Sequence, residues 1–410
     1  MTYLESYNNL KQIFNPAIKH QSVSYNKISI HNIPFISDNW SSLPGADLYK
    51  CESHNINFNE PVAIREKQLY DDYSDIMKHN DIDILENQKF TYSIFQNETG
   101  NPADGVILLF HGLNEKSWYK YLPWAEKLVE ITGRAVILFP IAFHMNRIPA
   151  EWSNSRMMSN ISNIRRKHSL TIDNSTFANA AVSARIQAIP QRFFWSGLQT
   201  FMDVAQLLNE IKSGKHSFIK PDAAVDLFSY SVGSFLSEIL MMANPNDYFL
   251  NSRLFLFCGG PTLDRMKPNS KYILDSDATI ALYSFYTERL EMELKHDSRM
   301  GHYFNGDHPV GNYFKAMLSY HKEKKLRENR FSAMSSQFCA VSLKNDSVIP
   351  PCEVENTLRG ECRNIPIKTD VLDFPYPYDH VTPFPAADIH EQSVNDSFNR
   401  VFDLAGSFLK

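Results

Sequence analysis

Three residues of this sequence have the side-chain chemistry of a nucleophile, a base and an acid. Ser231, Asp346 and His380 each come just after a run of apolar residues that reads as a buried strand. A serine hydroxyl is a weak nucleophile until a base takes its proton, and a neutral imidazole can be that base when a carboxylate orients it. Three such residues in the order Ser, Asp, His predict a nucleophilic catalytic site.

The elements that must position these residues alternate along the chain. Predicted strands lie at 27–36, 89–96, 106–110, 134–143, 223–230, 253–260, 337–343 and 367–374. Predicted helices lie at 116–133, 194–214 and 393–410, and another follows Ser231 directly. Strands that alternate with helices predict an α/β fold, with a mostly parallel twisted sheet and helices on both faces. In such sheets the reactive groups occupy loops at the carboxyl ends of strands, where the three candidates fall.

Four stretches resemble those of the α/β-hydrolase superfamily with a serine nucleophile. Ser229-Tyr-Ser231-Val-Gly233 is similar to its nucleophile elbow, and VILLFHGLNEKSW (106–118) is similar to its strand that ends in a His-Gly oxyanion loop. VSLKNDSVIPP (341–351) resembles its acid-bearing turn, and YDHVTPF (378–384) resembles its histidine loop. The resemblance covers residues 89–410 and indicates a bacterial branch whose substrate the sequence does not identify.

The resemblance implies a role for each residue. Ser231 attacks a carbonyl carbon, His380 takes and returns the proton, and Asp346 orients His380. The N–H groups of Leu113 and Val232 are implied to form the oxyanion hole. The residues that support this loop and the elbow are His111, Gly112, Ser229 and Gly233. The family has glycine where this chain has Ser229, and serine satisfies the need for a small side chain there.

Other residues compete for the same roles. Asp264, in GGPTLDRM, occupies the alternative acid position, but Asp346 has the better local signature. Ser231 also suits a plain helix N-cap. The rival histidines are His111, His144, His302 and His308, of which His111 is interpreted as structural and the last two as lid residues.

No metal site and no cofactor are predicted. His302, Asp307 and His308 lie close together in GHYFNGDH, and Cys352 and Cys362 are ten residues apart. We interpret both groups as surface loops rather than zinc ligands. No glycine-rich phosphate loop is found.

The chain divides into four predicted parts. Residues 1–88 form an N-terminal extension that packs on the core, and residues 89–260 and 337–410 form the α/β-hydrolase core. Residues 144–193 are an insertion near the rim of the active site, and residues 261–336 are a helical cap or lid. The aromatic residues of the cap predict an apolar substrate.

Composition limits the classes of function. The chain has 410 residues, 43% hydrophobic residues and a net charge of −5, which fits a soluble globular protein and argues against a nucleic-acid partner. No signal peptide and no transmembrane run of about 20 apolar residues is evident. Five cysteines without close pairing predict reduced thiols, so the cytoplasm is the expected location.

The predicted function is hydrolysis of a carboxylic ester or thioester through an acyl-enzyme intermediate. An amidase or peptidase would use the same triad on a poorer leaving group. A non-catalytic binding protein with the hydrolase fold is the alternative from another class, because fold alone does not establish function. The oligomeric state is left open.

Overall fold

The computed structural model describes residues 1–23, 25–43, 45, 48–58, 80–98, 100–306 and 308–410. Asp307 and part of the predicted N-terminal extension lie outside the described residues. The strands are β1 (His20–Val23), β2 (Ile28–Ile36), β3 (Tyr49–Cys51), β4 (Ile56–Phe58), β5 (Lys89–Asn97), β6 (Ala103–Phe110), β7 (Ala135–Leu138), β8 (Ile219–Tyr230), β9 (Leu254–Phe257), β10 (Phe338–Leu343) and β11 (Lys368–Leu372).

Nine of these strands form one sheet, in the order β1-β2-β5-β7-β6-β8-β9-β10-β11. The pairs from β7 to β11 are parallel, whereas β1, β2 and β5 join by antiparallel pairing. The remaining two strands, β3 and β4, pair with each other as a separate hairpin. The predicted strand at 134–143 is shorter than expected: β7 ends at Leu138, and Pro140, which has no N–H to donate, follows it.

The central strands are apolar along their whole length because both faces of the sheet are covered. In β6, Val106 and Leu108 point into one hydrophobic core, while Ile107 and Leu109 point into the other. All four side chains are fully buried. A strand that alternates between two cores has no polar face, which explains why it reads as a continuous apolar run.

The helices lie on both faces. They are α1 (Tyr3–Ile13), α2 (Leu85–Gln88), α3 (Leu122–Thr132), α4 (Ser155–His168), α5 (Ala180–Ala188), α6 (Arg192–Lys212), α7 (Val232–Ala243), α8 (Ser276–Tyr283), α9 (Leu290–Glu293), α10 (Ser298–Asn305), α11 (Pro309–Ala316), α12 (Lys324–Ala333), α13 (Pro351–Leu358) and α14 (Glu391–Leu409). Helices α1, α3 and α14 cover one face, and α6 and α7 cover the other. The predicted α/β fold class, a mostly parallel sheet with helices on both faces, is confirmed.

The first part of the chain contributes to the central sheet. Strand β2 pairs with β5 along its whole length, so the sheet extends upstream of residue 89. Helix α1 packs against α3 and α14, and its N-cap Thr2 forms a capping box with Glu5.

The two long insertions pack on each other above the sheet. Helix α5 lies against α8, and α11 lies against α7. Arg165, in the first insertion, donates two hydrogen bonds of 2.8 Å to the carboxylate of Asp275 in the second. Both side chains are buried, so this bidentate pair fixes the two insertions together. We call residues 261–336 the cap. Within the described residues, no helix has both the length and the apolar character to cross a bilayer.

Candidate active site

Ser231 occupies a strained turn between β8 and α7. Its backbone has φ 56° and ψ −123°, a conformation that residues other than glycine rarely adopt. The turn is so tight that a Cβ on Gly233 would lie 2.8 Å from the carbonyl oxygen of His111. Only glycine fits at position 233, because the backbone of His111 approaches so closely. The N–H of Gly233 donates to that same oxygen at 3.1 Å.

Ser229, at the end of β8, is linked to α7 by a side-chain hydrogen bond. Its hydroxyl hydrogen-bonds to the hydroxyl of Ser237, one turn into α7, and both residues are fully buried. Position 229 thus holds a small side chain whose polar atom has a partner. This contact links the end of β8 to the helix that carries the turn.

The three predicted catalytic side chains lie together at the carboxyl edge of the sheet. His380 Nε2 is 2.8 Å from Ser231 Oγ, and His380 Nδ1 is 2.7 Å from Asp346 Oδ2. All three residues are at least 95% buried. The other carboxylate oxygen, Oδ1, accepts the N–H groups of Val348 and Ile349 at 2.9 and 2.8 Å. The carboxylate is therefore held in place from both sides.

The competing acid position is engaged elsewhere. Asp264 accepts the hydroxyl of Thr262 at 2.7 Å and the N–H of Tyr320 at 3.0 Å. These bonds tie the start of the cap to a later loop of the cap. Among the described residues, the carboxylate that His380 contacts is that of Asp346.

The loop after β6 is anchored by polar contacts at several points. The N–H of Gly112 donates to the hydroxyl of Tyr121 at 3.0 Å, and that hydroxyl donates to Glu115 at 3.1 Å. The side-chain amide of Asn114 donates to the carbonyls of Ala178 and Tyr272 at 2.9 and 2.7 Å. Since these two carbonyls belong to the two insertions, the loop is held by both.

The backbone N–H groups of Leu113 and Val232 remain the predicted oxyanion hole. Neither N–H takes part in the hydrogen bonds found among the described residues. Val232 is the first residue of α7, and the first amides of a helix have no intrahelical acceptor. Both residues are therefore suited to receive an external oxygen.

Burial disfavours the charged form of two histidines near the site, His111 and His144. His111 Nδ1 is 2.8 Å from the carbonyl oxygen of Gly112, and His111 Nε2 accepts the N–H of Ile141 at 3.0 Å. Burial lowers the pKa of His111 well below its ordinary value and lowers the pKa of His144 to about 4. The structural interpretation of His111 agrees with this geometry.

Three contacts around His380 were not anticipated from the sequence. The ring of Tyr230 stacks on the imidazole, with ring centroids 5.2 Å apart. Lys120 donates to the carbonyl of Val381 at 3.0 Å and so holds the loop that carries His380. Cys258 lies beside Asp346: burial and then this carboxylate raise the pKa of its thiol well above the ordinary value. Of these contacts, the sequence offered a signal for the first: an aromatic residue, Tyr230, stands directly before Ser231.

Three cavities share Leu113, and two of them also reach Ser231 or Val232. An open cleft is lined by Ser231, His380 and residues of the oxyanion loop. A second, apolar cavity is lined by Leu113 and Val232. Its other lining residues include Phe193, Phe194, Phe201, Phe235 and Phe314. The predicted oxyanion hole therefore lies where the cleft that contains Ser231 meets an apolar cavity.

The comparisons with known proteins leave the function open. A search of the curated proteins finds no match. Among solved structures, the chain is similar to carboxyl esterase 2 from the mycorrhizal fungus Tuber melanosporum, with 11% identity, a TM-score of 0.45, and 78% of this chain and 81% of that chain covered. It is also similar to a thermostable esterase from Pseudomonas putida ECU1011, with 9% identity, a TM-score of 0.41, and 79% and 80% covered.

Likenesses this distant do not bear on what the chain does. A family profile, in contrast, matches the sequence from residue 1 to residue 410. The protein therefore belongs to that family, which is described as a family of unknown function (DUF6051).

Proposed function

We propose that this protein is a serine hydrolase that cleaves a carboxylic ester or thioester through an acyl-enzyme intermediate. The observation that carries the proposal is the unbroken hydrogen-bonded chain from Ser231 through His380 to Asp346. It lies at a backbone turn whose strain has no purely structural use, because glycine would adopt the same turn at lower cost. Strain of this kind is typical of functional sites.

The first half of the reaction transfers the acyl group to the protein. Ser231 Oγ attacks the carbonyl carbon while His380 Nε2 takes the hydroxyl proton, and Asp346 stabilises the resulting imidazolium. The carbonyl oxygen becomes an oxyanion that accepts hydrogen bonds from the N–H groups of Leu113 and Val232. Each donor of this type typically contributes about 3–4 kcal/mol to transition-state stabilisation. The bond to the leaving group then breaks, and the leaving oxygen or sulfur receives the proton from His380.

The second half releases the acid. A water molecule attacks the acyl carbon as His380 takes its proton, and the bond to Ser231 Oγ breaks as that proton passes to the serine. The protein returns to its starting state, and no redox step or cofactor takes part.

The surroundings of the oxyanion hole favour an apolar acyl group. The apolar cavity begins at Leu113 and Val232 and is walled by aromatic side chains from α6, α7 and α11. The open cleft instead presents Asn114, Glu115 and Lys116. We assign the cavity to the acyl chain and the cleft to the leaving group.

The test uses a fluorophosphonate probe, which bonds covalently to an activated serine. We expect the wild-type protein to be labelled at Ser231 and Ser231→Ala to be unlabelled, with both giving the same circular dichroism spectrum. Ser234→Ala is the matched control. Ser234 is a buried serine one turn away on the same helix, and its hydroxyl has no hydrogen-bond partner among the described residues, so its loss should leave labelling intact.

Turnover separates the alternatives. Hydrolysis of p-nitrophenyl butyrate, with little hydrolysis of the matching p-nitroanilide, indicates an esterase. Comparable rates on both indicate an amidase or peptidase. A folded wild-type protein that neither hydrolyses these compounds nor takes the probe contradicts the proposal and leaves the non-catalytic binding protein.

A further inference from the structure

A second group of reactive side chains lies where the β3–β4 hairpin meets the cap. Cys51 is the last residue of β3, and His54 lies in the turn that follows it. His302 belongs to α10, and His308 directly precedes α11. None of the four lines the cleft that contains Ser231. The group therefore joins the N-terminal hairpin to the cap at a place separate from the triad.

The four ligand atoms converge on one point. Cys51 Sγ is 3.3 Å from His308 Nε2 and 3.5 Å from His54 Nδ1. His308 Nε2 is in turn 3.2 Å from His54 Nδ1 and 2.9 Å from His302 Nε2. All four atoms lie within 4.8 Å of one another.

Four of the six separations, 2.9–3.5 Å, lie close to the edge length of a zinc coordination tetrahedron. With Zn–N bonds of about 2.0–2.1 Å and a Zn–S bond of about 2.3 Å, a regular tetrahedron places its ligand atoms roughly 3.3–3.6 Å apart. The rings of His54, His302 and His308 are also mutually perpendicular, with interplanar angles of 87–90°. Perpendicular rings allow three nitrogen lone pairs to point at one centre without steric overlap.

The donor set itself favours zinc. Imidazole nitrogen and cysteine sulfur are the ligands that Zn²⁺ prefers, whereas Mg²⁺ and Ca²⁺ prefer oxygen. Four electron-pair donors at about 3 Å repel one another, and a shared divalent cation turns that repulsion into attraction. Four protein ligands complete the coordination, which is typical of a structural site and not of a catalytic one.

Aromatic side chains pack against the group, in which Cys51 is buried and the three histidines are half-buried. The ring of Tyr303 stacks on His308 with centroids 4.4 Å apart, and the ring of Phe58 lies 5.3 Å from His302. Tyr303 and Tyr49 share a hydrogen bond between their hydroxyls, and the guanidinium of Arg299 lies 4.1 Å above the ring of Tyr49. Packing of this type orients ligands before the metal binds.

We propose that Cys51, His54, His302 and His308 form a structural zinc site that fastens the β3–β4 hairpin to the cap. The site holds α10 and the start of α11 in position, and α11 in turn supplies Phe314 to the apolar cavity and packs on α7. Zinc thus stabilises the wall of the cavity without touching the reacting atoms. Cys51 binds as a thiolate and releases its proton to solvent, so affinity decreases as the pH falls.

The first test is the metal content of protein purified without a histidine tag. We expect one zinc per chain by mass spectrometry. After removal by a chelator, added Co²⁺ should bind at one equivalent and produce the intense d–d bands of a tetrahedral site with a thiolate-to-cobalt charge-transfer band. A stoichiometry near zero in protein with a native circular dichroism spectrum overturns the proposal, as does cobalt binding without the charge-transfer band.

The second test compares matched variants. Cys51→Ser should abolish the charge-transfer band, and both Cys51→Ser and His302→Gln should weaken cobalt binding by more than about 100-fold, the upper range for loss of an outer-shell partner. The controls are Cys352→Ser, which changes an exposed cysteine, and His390→Gln, which changes a histidine outside the group. Both should bind cobalt as the wild type does. Unchanged affinity in Cys51→Ser contradicts the proposal.

Stability gives an independent readout. A ligand that binds only the folded state raises the melting temperature. Zinc should raise the melting temperature of the metal-free wild type and of Ser231→Ala by the same amount, and should have no effect on Cys51→Ser. Because Ser231→Ala retains the metal site, failure of the proposed hydrolase activity and failure of the zinc proposal are distinguishable. An equal zinc effect on Cys51→Ser and the wild type overturns the site.

Discussion

The carboxyl edge of the sheet and the cap hold their residues in different ways. At the edge, Ser231, Asp346 and His380 follow three strands of the parallel part of the sheet, whose backbone hydrogen bonds bring the ends of those strands together. In the cap, position depends on side chains that meet from distant parts of the chain, such as Arg165 with Asp275. The comparison teaches that substitutions at the edge should remove chemistry and leave the fold intact, whereas substitutions in the cap should change selectivity and stability.

The largest expected effect is the loss of the base. His380→Ala should lower kcat on a p-nitrophenyl ester by about 10⁶-fold, because nucleophile and base act as a unit. The double variant Ser231→Ala/His380→Ala should be no slower than either single variant. Steady-state kinetics with active wild-type protein as reference measures this. Losses that multiply in the double variant would mean that the two residues act separately.

A smaller effect is expected at the acid, and it discriminates the two candidates. Asp346→Asn should lower kcat by about 10⁴-fold, because the amide stabilises the wrong tautomer of His380. Asp264→Asn is the matched control. It removes a carboxylate that bonds Thr262 and Tyr320 within the cap, so it should reduce the melting temperature more than kcat. The reverse order of the two kcat values would assign the acid to Asp264.

In the apolar cavity the expected effect is on selectivity. Gly197 lies on α6 and lines the cavity, and a Cβ added there meets no atom within 4 Å. Gly197→Leu should therefore fill the cavity and lower kcat/KM for long acyl chains by roughly 10–100-fold, with acetate esters little affected. Gly197→Ala is the control, since one methyl group occupies little of the space. An equal loss for short and long acyl chains would remove the cavity from the acyl site.

The smallest effect concerns the contact between α7 and the cap. Glu238 is fully buried on α7, and its carboxyl oxygens have no hydrogen-bond partner among the described residues. Burial raises its pKa well above the ordinary value of 4.5, although Arg327 of the cap opposes the shift. The folded protein therefore holds this proton more tightly than the unfolded chain, so the group's contribution to stability is full below pH 4.5 and is lost as the pH rises.

Glu238→Gln removes that pH dependence. The variant should match the wild type in free energy of unfolding near pH 4.5 and exceed it at pH 8. The excess should be about 1.4 kcal/mol for each pH unit between 4.5 and the raised pKa of Glu238, counted no further than pH 8. Urea unfolding at several pH values measures the difference. Glu151→Gln, which changes an exposed carboxylate, is the control. A difference between Glu238→Gln and the wild type that does not change with pH would mean that Glu238 is not the group that titrates.

The edge and the cap also differ in how much of their structure could be predicted from the sequence. The order and type of the central strands were predictable because each is a short apolar run, and helix α3 ends at Gly133 as its glycine predicted. The length of β7 was not predictable from apolar character alone, because residues 139–143 are apolar and yet leave the sheet. His302 and His308 were predicted to lie on a surface loop, whereas His302 lies on α10 and His308 directly precedes α11. Neither spacing nor composition connects these histidines to Cys51.

The sequence by itself determined which residues stand at the ends of the parallel strands. A parallel sheet brings those ends to one edge whatever else the chain does, so Ser231, Asp346 and His380 were identifiable as a group. Only the tertiary structure decided that Asn114 bridges the loop to both insertions, that aromatic residues of three helices enclose one cavity, and that Cys51 and His54 meet two histidines of the cap. Contacts of this kind join segments far apart in the chain, and no local periodicity encodes them.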